Sequence, residues 1–297
     1  MRFVTVQTAA GVHPGLHIEN RIVLLEDYAS IQEVIQAGAP ALAAIAERLP
    51  ELAQRPGIEY NLDHLLAPIP RPSRNIFCVG MNYAAHARES LIAKGLEPKL
   101  PEHPVFFTKP PSTVNSPTGN IEIDPAVSEK IDWEVELGVV IGLGGKNISR
   151  EDAMGHVWGY TVINDISARD LQTRHQQFFK GKSLDGSCPL GPCIVTADEV
   201  ADPHNLALRL RINGVVKQDS NTSDFIFDIP TLIEVLSKGM TLEPGDIIAT
   251  GTPEGVGFAR TPAEFLRPGD LMETEIEGIG VLRNMAVAAS DWAHSQG

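Results

Sequence analysis

Asp132-Trp133-Glu134-Val135-Glu136 sets three carboxylates at alternate positions ahead of the apolar run Leu137 to Ile141. Alternate side chains of an extended chain share a face, so Asp132, Glu134 and Glu136 point one way while Trp133, Val135, Leu137 and Val139 pack the other. A half-exposed strand with a solvated acidic edge gives the same pattern. Yet neighbouring like charges repel, and a strand entering Val139-Val140-Ile141 reads as buried, so these carboxylates want a cation. Downstream, the apolar stretch Tyr160 to Ile163 leads into Asn164-Asp165, where the aspartate either caps the next element or supplies a third oxygen ligand. Glu134, Glu136 and Asp165, with no obligatory Cys or His, form a set suited to Mg²⁺, Mn²⁺ or Ca²⁺ rather than to zinc or copper.

A second candidate is Gly80-Met81-Asn82-Tyr83-Ala84-Ala85-His86-Ala87-Arg88-Glu89. If a helix starts after the glycine, His86 and Glu89 share a face, and a carboxylate beside an imidazole fixes its tautomer and raises its basicity. An incidental pair on a surface helix has the same spacing. Lys180-Gly181-Lys182-Ser183 echoes the end of a phosphate loop, but Gln176 stands where the upstream glycine belongs, so that reading is excluded. Lys182 is then either a catalytic cation or a lysine in a solvated turn. Gly142-Leu143-Gly144-Gly145 fails as a dinucleotide fingerprint because position 147 is Asn. Thr250-Gly251-Thr252-Pro253-Glu254-Gly255-Val256-Gly257 follows an apolar strand; its glycines either make a turn or present backbone N–H groups to an anion.

The elements that must position these residues are mostly strands. Residues 1–30 read as short strands between turns. Ile31 to Leu52 has apolar residues at helical spacing, split into two helices near Gly38 and Pro40. Pro68, Pro70 and Pro72 form an extended connector, placing a boundary between a unit 1–70 and a unit 71–297. Beyond it, residues 75–80, 105–109, 133–141, 160–163, 206–212 and 246–250 have strand composition. Helices are expected at Ser149–Val157, opened by Ser149 with Asp152, and at Ile229–Lys238. Strands that outnumber helices without alternating with them favour a β-rich α+β architecture over a doubly wound or barrel fold.

The chain has 297 residues, with 38 Asp+Glu against 24 Lys+Arg and a formal net charge of −14. That balance argues against a nucleic-acid partner, since neutralising phosphates requires a basic surface. A small anionic substrate is compatible only if a metal or local Lys and Arg reverse the sign at the site. No apolar run approaches the ~18 residues of a membrane span. Three cysteines, Cys78, Cys188 and Cys193, are too few for a disulfide framework, and no signal peptide is visible, so a cytoplasmic location is expected.

Taken in order, GMNYAAH at 80–86, DWEVE at 132–136, Asn164-Asp165 with SARD at 167–170, GKS at 181–183 and GTPEGVG at 251–257 resemble the fumarylacetoacetate hydrolase family from about residue 71 onward. The resemblance implies a mixed β-sandwich roll with a small N-terminal α/β extension, a Mg²⁺-type site (Mn²⁺ or Ca²⁺ as alternatives) and a homodimer. It implies Glu134, Glu136 and Asp165 as metal ligands with Asp132 as a neighbour, His86 and Glu89 as the dyad activating water, and Lys182 as the active-site lysine. Gln172, Thr252 and Lys109 are implied as substrate contacts. The activity implied is hydrolysis of an acylpyruvate or fumarylacetoacetate-like acid through an enolate that the metal stabilises. Oxaloacetate decarboxylation, dienoate isomerisation and a non-catalytic metal-binding paralogue stand as alternatives. Residues His86 to His103, a short helix breaking at Gly95 before two prolines, are expected to act as a lid.

Overall fold

The computed structural model describes residues 1–289; positions 290–297 of the expected unit 71–297 lie outside the described residues. The architecture is a strand-rich α+β fold built on two sheets. The larger has twelve strands, and its central order runs Arg2–Thr8, Cys188–Thr196, Val157–Asn164, Val135–Ile141, Ile247–Ala249, Ile76–Gly80, Val105–Lys109. Neighbours along this path are antiparallel except Ile247–Ala249 against Ile76–Gly80, which is parallel. The smaller sheet orders Val215–Asn221, Ala207–Ile212, Leu271–Ile276, Gly280–Ala288 and Ile121–Ile123.

Both faces of the large sheet are covered, which explains the near-continuous apolar runs in its central strands. Val135, Leu137, Val139 and Val162 pack toward Leu208, Leu210, Met272 and Leu282 of the smaller sheet. Val140, Ile163, Ile194 and Ile247 face the other way, into a cluster with Ile31, Val34, Ile35, Ile45 and Leu52. Those last five come from the helices Ile31–Gln36 and Gly38–Leu52, the pair expected from the apolar spacing, with the break at Ala37. Arg2 and Phe3 pair with Val195 and Ile194, so the N-terminal strands continue the large sheet.

Two local expectations are corrected. Ser149–Val157 is not a helix: only the single 3₁₀ turn Ala153–His156 forms, and Val157 already begins a strand. The Ser149 hydroxyl and Asp152 bond each other across the turn, side chain to backbone and side chain to side chain, where a longer helix would use the N–H groups for its ladder. The strand expected over 133–141 is likewise interrupted, with Ile131–Asp132 pairing separately to Ser167–Ala168 before Val135–Ile141 resumes.

Candidate active site

Three neighbouring elements supply the acidic cluster. Val135 pairs with Asn164 and Glu136 with Ile163 in register, and the Asn164-Asp165 step then folds back onto Glu134. The Glu134 N–H donates to Asn164 Oδ1 at 3.0 Å, and the Asp165 N–H to the Glu134 carbonyl at 2.9 Å. Asp165 is therefore held beside the glutamates rather than capping a helix. Ligand oxygens of Glu134, Glu136 and Asp165 lie within 4.8 Å of one another, all three residues buried. Ligands on opposite sides of a hard cation at ~2.1–2.4 Å are about that far apart, so the spacing suits a single ion.

The cluster contains four carboxylates and three cations. Lys182 Nζ donates to Glu134 Oε2 at 2.6 Å and to Asp165 Oδ2 at 2.7 Å. Arg169 bonds Asp132 Oδ2 through Nε at 2.8 Å and lies 2.7 Å from Glu134 Oε1 through Nη2. Lys109 Nζ lies 2.8 Å from Asp165 Oδ1. Among the described residues, Glu136 alone of the four carboxylates has no cation within ion-pair distance; its Oε2 accepts the Gly251 N–H at 2.8 Å. Burial, with Asp165 and Glu134 nearby, pushes the Glu136 pKa well above the usual carboxylate range. Burial acts on Glu134 in the same sense, but the Lys182 and Arg169 charges outweigh it and hold that carboxyl at about 2. Among the described residues, Asp165 Oδ1 has no aligned hydrogen-bond donor despite the nearby Lys109 ammonium. A buried carboxylate without a cation and an unused lone pair beside it are what a hard divalent ion would satisfy, so the donor set fits Mg²⁺, Mn²⁺ or Ca²⁺.

The helix Ala84–Ala93 carries the dyad, with His86 Nδ1 3.0 Å from Glu89 Oε1. Asn82 staples the start of this helix: its Nδ2 donates to the Thr250 and Phe227 carbonyls, and its Oδ1 accepts the Phe227 N–H. The loop after Ile247–Ala249 resolves the choice between turn and anion cradle, and the anions are the chain's own. Gly255 N–H donates to Glu89, Gly251 N–H to Glu136, and the N–H groups of Gly257 and Phe258 to Asp132. Gly251 and Gly255 both sit at φ +98°. A Cβ at Gly251 would lie 2.8 Å from Asn82 Cβ, and one at Gly255 would run into the Lys217 carbonyl oxygen.

His86, Glu134, Glu136, Gln172, Lys182 and Thr252 all line one small cavity of about 30 Å³. Asp165 and Glu89 stand immediately behind that wall, bonded to Lys182 and His86 respectively. Thr252 Oγ1 accepts from Gln218 Nε2 at 2.8 Å, and Gln172 Oε1 from Arg169 Nη1 at 3.2 Å. Lys109 is fully buried and not in the cavity wall. Its ammonium bonds the Ile166 and Lys182 carbonyls and Ser187 Oγ, so it supports Asp165 from behind instead of facing a substrate.

Sequence reasoning missed Arg169, Gln218 and Lys94. Arg169 was visible in the Ser167–Asp170 motif without a role. Gln218 ties the Val135 N–H to the Thr252 loop and carries no local signal. Lys94 lines the cavity with its ammonium 5.9 and 5.8 Å from the Phe178 and Phe258 ring centres. Desolvation lowers its pKa, and the Arg169 and Lys182 charges press the same way against the pull of Glu134. Among the described residues no helix is long and apolar enough to cross a membrane.

Residues 75–287 match the protein family described as Fumarylacetoacetate (FAA) hydrolase C-terminal. Oxaloacetate tautomerase YisK of Bacillus subtilis is 50% identical over 262 residues, covering 86% of this chain and 85% of the relative. The mitochondrial oxaloacetate tautomerase FAHD2A of Bos taurus is 43% identical over 97% of this chain and 92% of its own length. Among solved structures, maleylpyruvate hydrolase from Sphingobium sp. SYK-6, in complex with manganese(II) and pyruvate, superposes with a TM-score of 0.76 at 30% identity, covering 97% of this chain and 99% of that one.

Proposed function

The chain belongs to the fumarylacetoacetate hydrolase family, whose members include metal-dependent enzymes, and from that premise we propose that it moves protons between C3 and the 2-oxo oxygen of small oxo acids, with oxaloacetate as the leading substrate. The observation that carries this reading is the convergence of the His86–Glu89 pair, the Lys182 ammonium and a buried acidic triad on one cavity. Glu134, Glu136 and Asp165 would hold the divalent ion, which when bound supplies Lewis-acid polarisation at the oxo oxygen.

The protein's own groups do the rest. With Nδ1–H donating to Glu89, His86 keeps Nε2 as its basic nitrogen, able to take a proton from C3 of the keto form or return one to the enol. The Gly255 N–H fixes Glu89, and so fixes the imidazole. Lys182 contributes positive charge where negative charge develops on oxygen, within a desolvated site where such charge acts strongly. Gln172 and Thr252 offer polar contacts for the acid's carboxylate. A symmetric homodimer belongs to the same proposal and is checked by light-scattering mass across micromolar concentrations.

The relatives named as oxaloacetate tautomerases favour proton transfer, while the likeness to maleylpyruvate hydrolase favours a second reading, hydrolysis of an acylpyruvate. There His86 would deprotonate a water that attacks the distal carbonyl. Freshly dissolved enol-oxaloacetate should lose its enol absorbance faster with the protein and Mg²⁺ or Mn²⁺ than without, and chelation should abolish the gain. Acetylpyruvate and fumarylpyruvate run in parallel report hydrolysis. Absence of accelerated ketonisation alongside rapid acylpyruvate cleavage would replace the first reading with the second.

A further inference from the structure

The cavity over the triad does not end at Lys94. Lys94, Arg169, Gln172 and Phe258 also line an adjoining groove of about 510 Å³, so these four residues form the common wall between the two spaces. In a chain of net charge −14 the groove is locally basic: Lys94, Lys130, Arg169 and Arg174 border it against one acidic residue, Asp170. Asp170 Oδ1 already accepts from Ser128 Oγ and the Leu171 N–H. Among the described residues, none of Lys94, Lys130 and Arg174 has a carboxylate within ion-pair distance, whereas Arg169 is taken up by Asp132 and Glu134. The Lys94 ammonium instead has two phenyl faces as neighbours.

An ammonium that lines both spaces and, among the described residues, has no carboxylate within ion-pair distance is a receptor for an anionic ligand group. We infer that Lys94 binds a second carboxylate of the substrate at the junction of cavity and groove, making the protein selective for dicarboxylic over monocarboxylic 2-oxo acids. This rests on the reading of the triad as the seat of the oxo-acid end. It also ties recognition to the dyad. Lys94 ends the helix that carries His86 and Glu89, so a carboxylate held there fixes that helix against the site.

The test compares wild type with Lys94→Met, which keeps the apolar stem, and Lys94→Arg, which keeps the charge. The readout is the ratio of kcat/KM for oxaloacetate or fumarylpyruvate to that for acetylpyruvate. A charged hydrogen bond of ordinary strength predicts that this ratio falls about tenfold or more in Lys94→Met and stays within about threefold of wild type in Lys94→Arg. An unchanged ratio in Lys94→Met overturns the inference. A binding arm keeps the two readings separable: with Mn²⁺ present, 2-oxoglutarate and 2-oxopentanoate are titrated by calorimetry as a matched pair of five-carbon acids. Preference for 2-oxoglutarate in wild type and its loss in Lys94→Met sustain the inference even if no acid is turned over, in which case the proposed function fails alone. Equal binding of the two acids by wild type, or a preference that survives in Lys94→Met, overturns the inference even if the enzyme is active.

Discussion

The backbone N–H of Gly255 reaches both carboxylate oxygens of Glu89, at 3.0 and 3.1 Å, across 166 positions of sequence. That contact fixes the carboxylate so that it can hold the His86 imidazole in one orientation. Glu89→Gln keeps an acceptor for Gly255 and removes the carboxylate charge beside His86 Nδ1. Turnover should fall by about 10²–10⁴-fold, with cation affinity within about twofold of wild type. Steady-state rates and Mn²⁺ titration of the same variant check this, and near-normal turnover would remove the dyad from the chemistry.

Glu136 is the triad member without a cation, so Glu136→Gln removes a buried like charge and keeps an acceptor for the Gly251 N–H. The metal-free variant should melt at or above the wild-type temperature, since an unpaired buried charge is costly. Added Mg²⁺ or Mn²⁺ should raise the wild-type melting temperature and leave that of the variant unmoved. A metal-induced shift of wild-type size in Glu136→Gln would show that the ion binds elsewhere.

Lys182 bonds two triad members at once, and a cation entering between them competes with its ammonium. Lys182→Met should therefore bind Mn²⁺ at least as tightly as wild type while losing turnover by about 10²-fold or more. Its metal-free form should be destabilised by roughly 3–5 kcal/mol, because two buried carboxylates lose a partner. Weaker metal binding in this variant would contradict the competition. Urea unfolding with and without Mn²⁺ separates the terms.

The cavity over the triad is narrow, about 30 Å³. His86, Ser90 and Lys94 of its wall all come from the helix Ala84–Ala93 and its end, so movement of that helix is the expected route for substrate entry. Amide exchange over residues 84–103 should slow when oxalate and Mg²⁺ are added together, and slow less with either alone. Identical exchange under all conditions would exclude a lid.

Away from the site, Asp228 caps the helix Ile229–Ser237, accepting from the Thr231 N–H and hydroxyl, and pairs with Arg150. Partial burial raises its pKa, but the Thr231 hydrogen bonds and Arg150 outweigh this and leave it below the ordinary value. A folded pKa below the unfolded one means the contribution is complete above about pH 4 and disappears as pH falls through the folded value. Asp228→Ala should cost about 1 kcal/mol at pH 7 and flatten the acid limb of the stability curve below pH 4. Urea midpoints between pH 2.5 and 7 measure both effects.

Sequence by itself determined which candidate side chains share a face, because that is written in short-range spacing. Alternation in an extended chain puts Glu134 and Glu136 on one side, and a three-residue step on a helix brings His86 to Glu89. The apolar run after Glu136 announced a strand buried on both faces, and the two helices before residue 53 followed from their apolar period. Tertiary structure decided what long separations control. Asp132 continues the acidic alternation, yet it answers Arg169 and the N–H groups of Gly257 and Phe258 rather than an ion. Lys109 reads as an available cation, but its strand lies beneath the site and its ammonium is enclosed behind Asp165. The glycines at 251 and 255 read as a turn or an anion cradle, and only the folded chain brings Glu136 and Glu89 to their N–H groups. A local pattern fixes which way a side chain points relative to its own backbone. Which partner it meets depends on strands and loops that pack from tens to more than a hundred residues away, and burial then makes that meeting obligatory, because an unmatched ion in the core is too costly to keep.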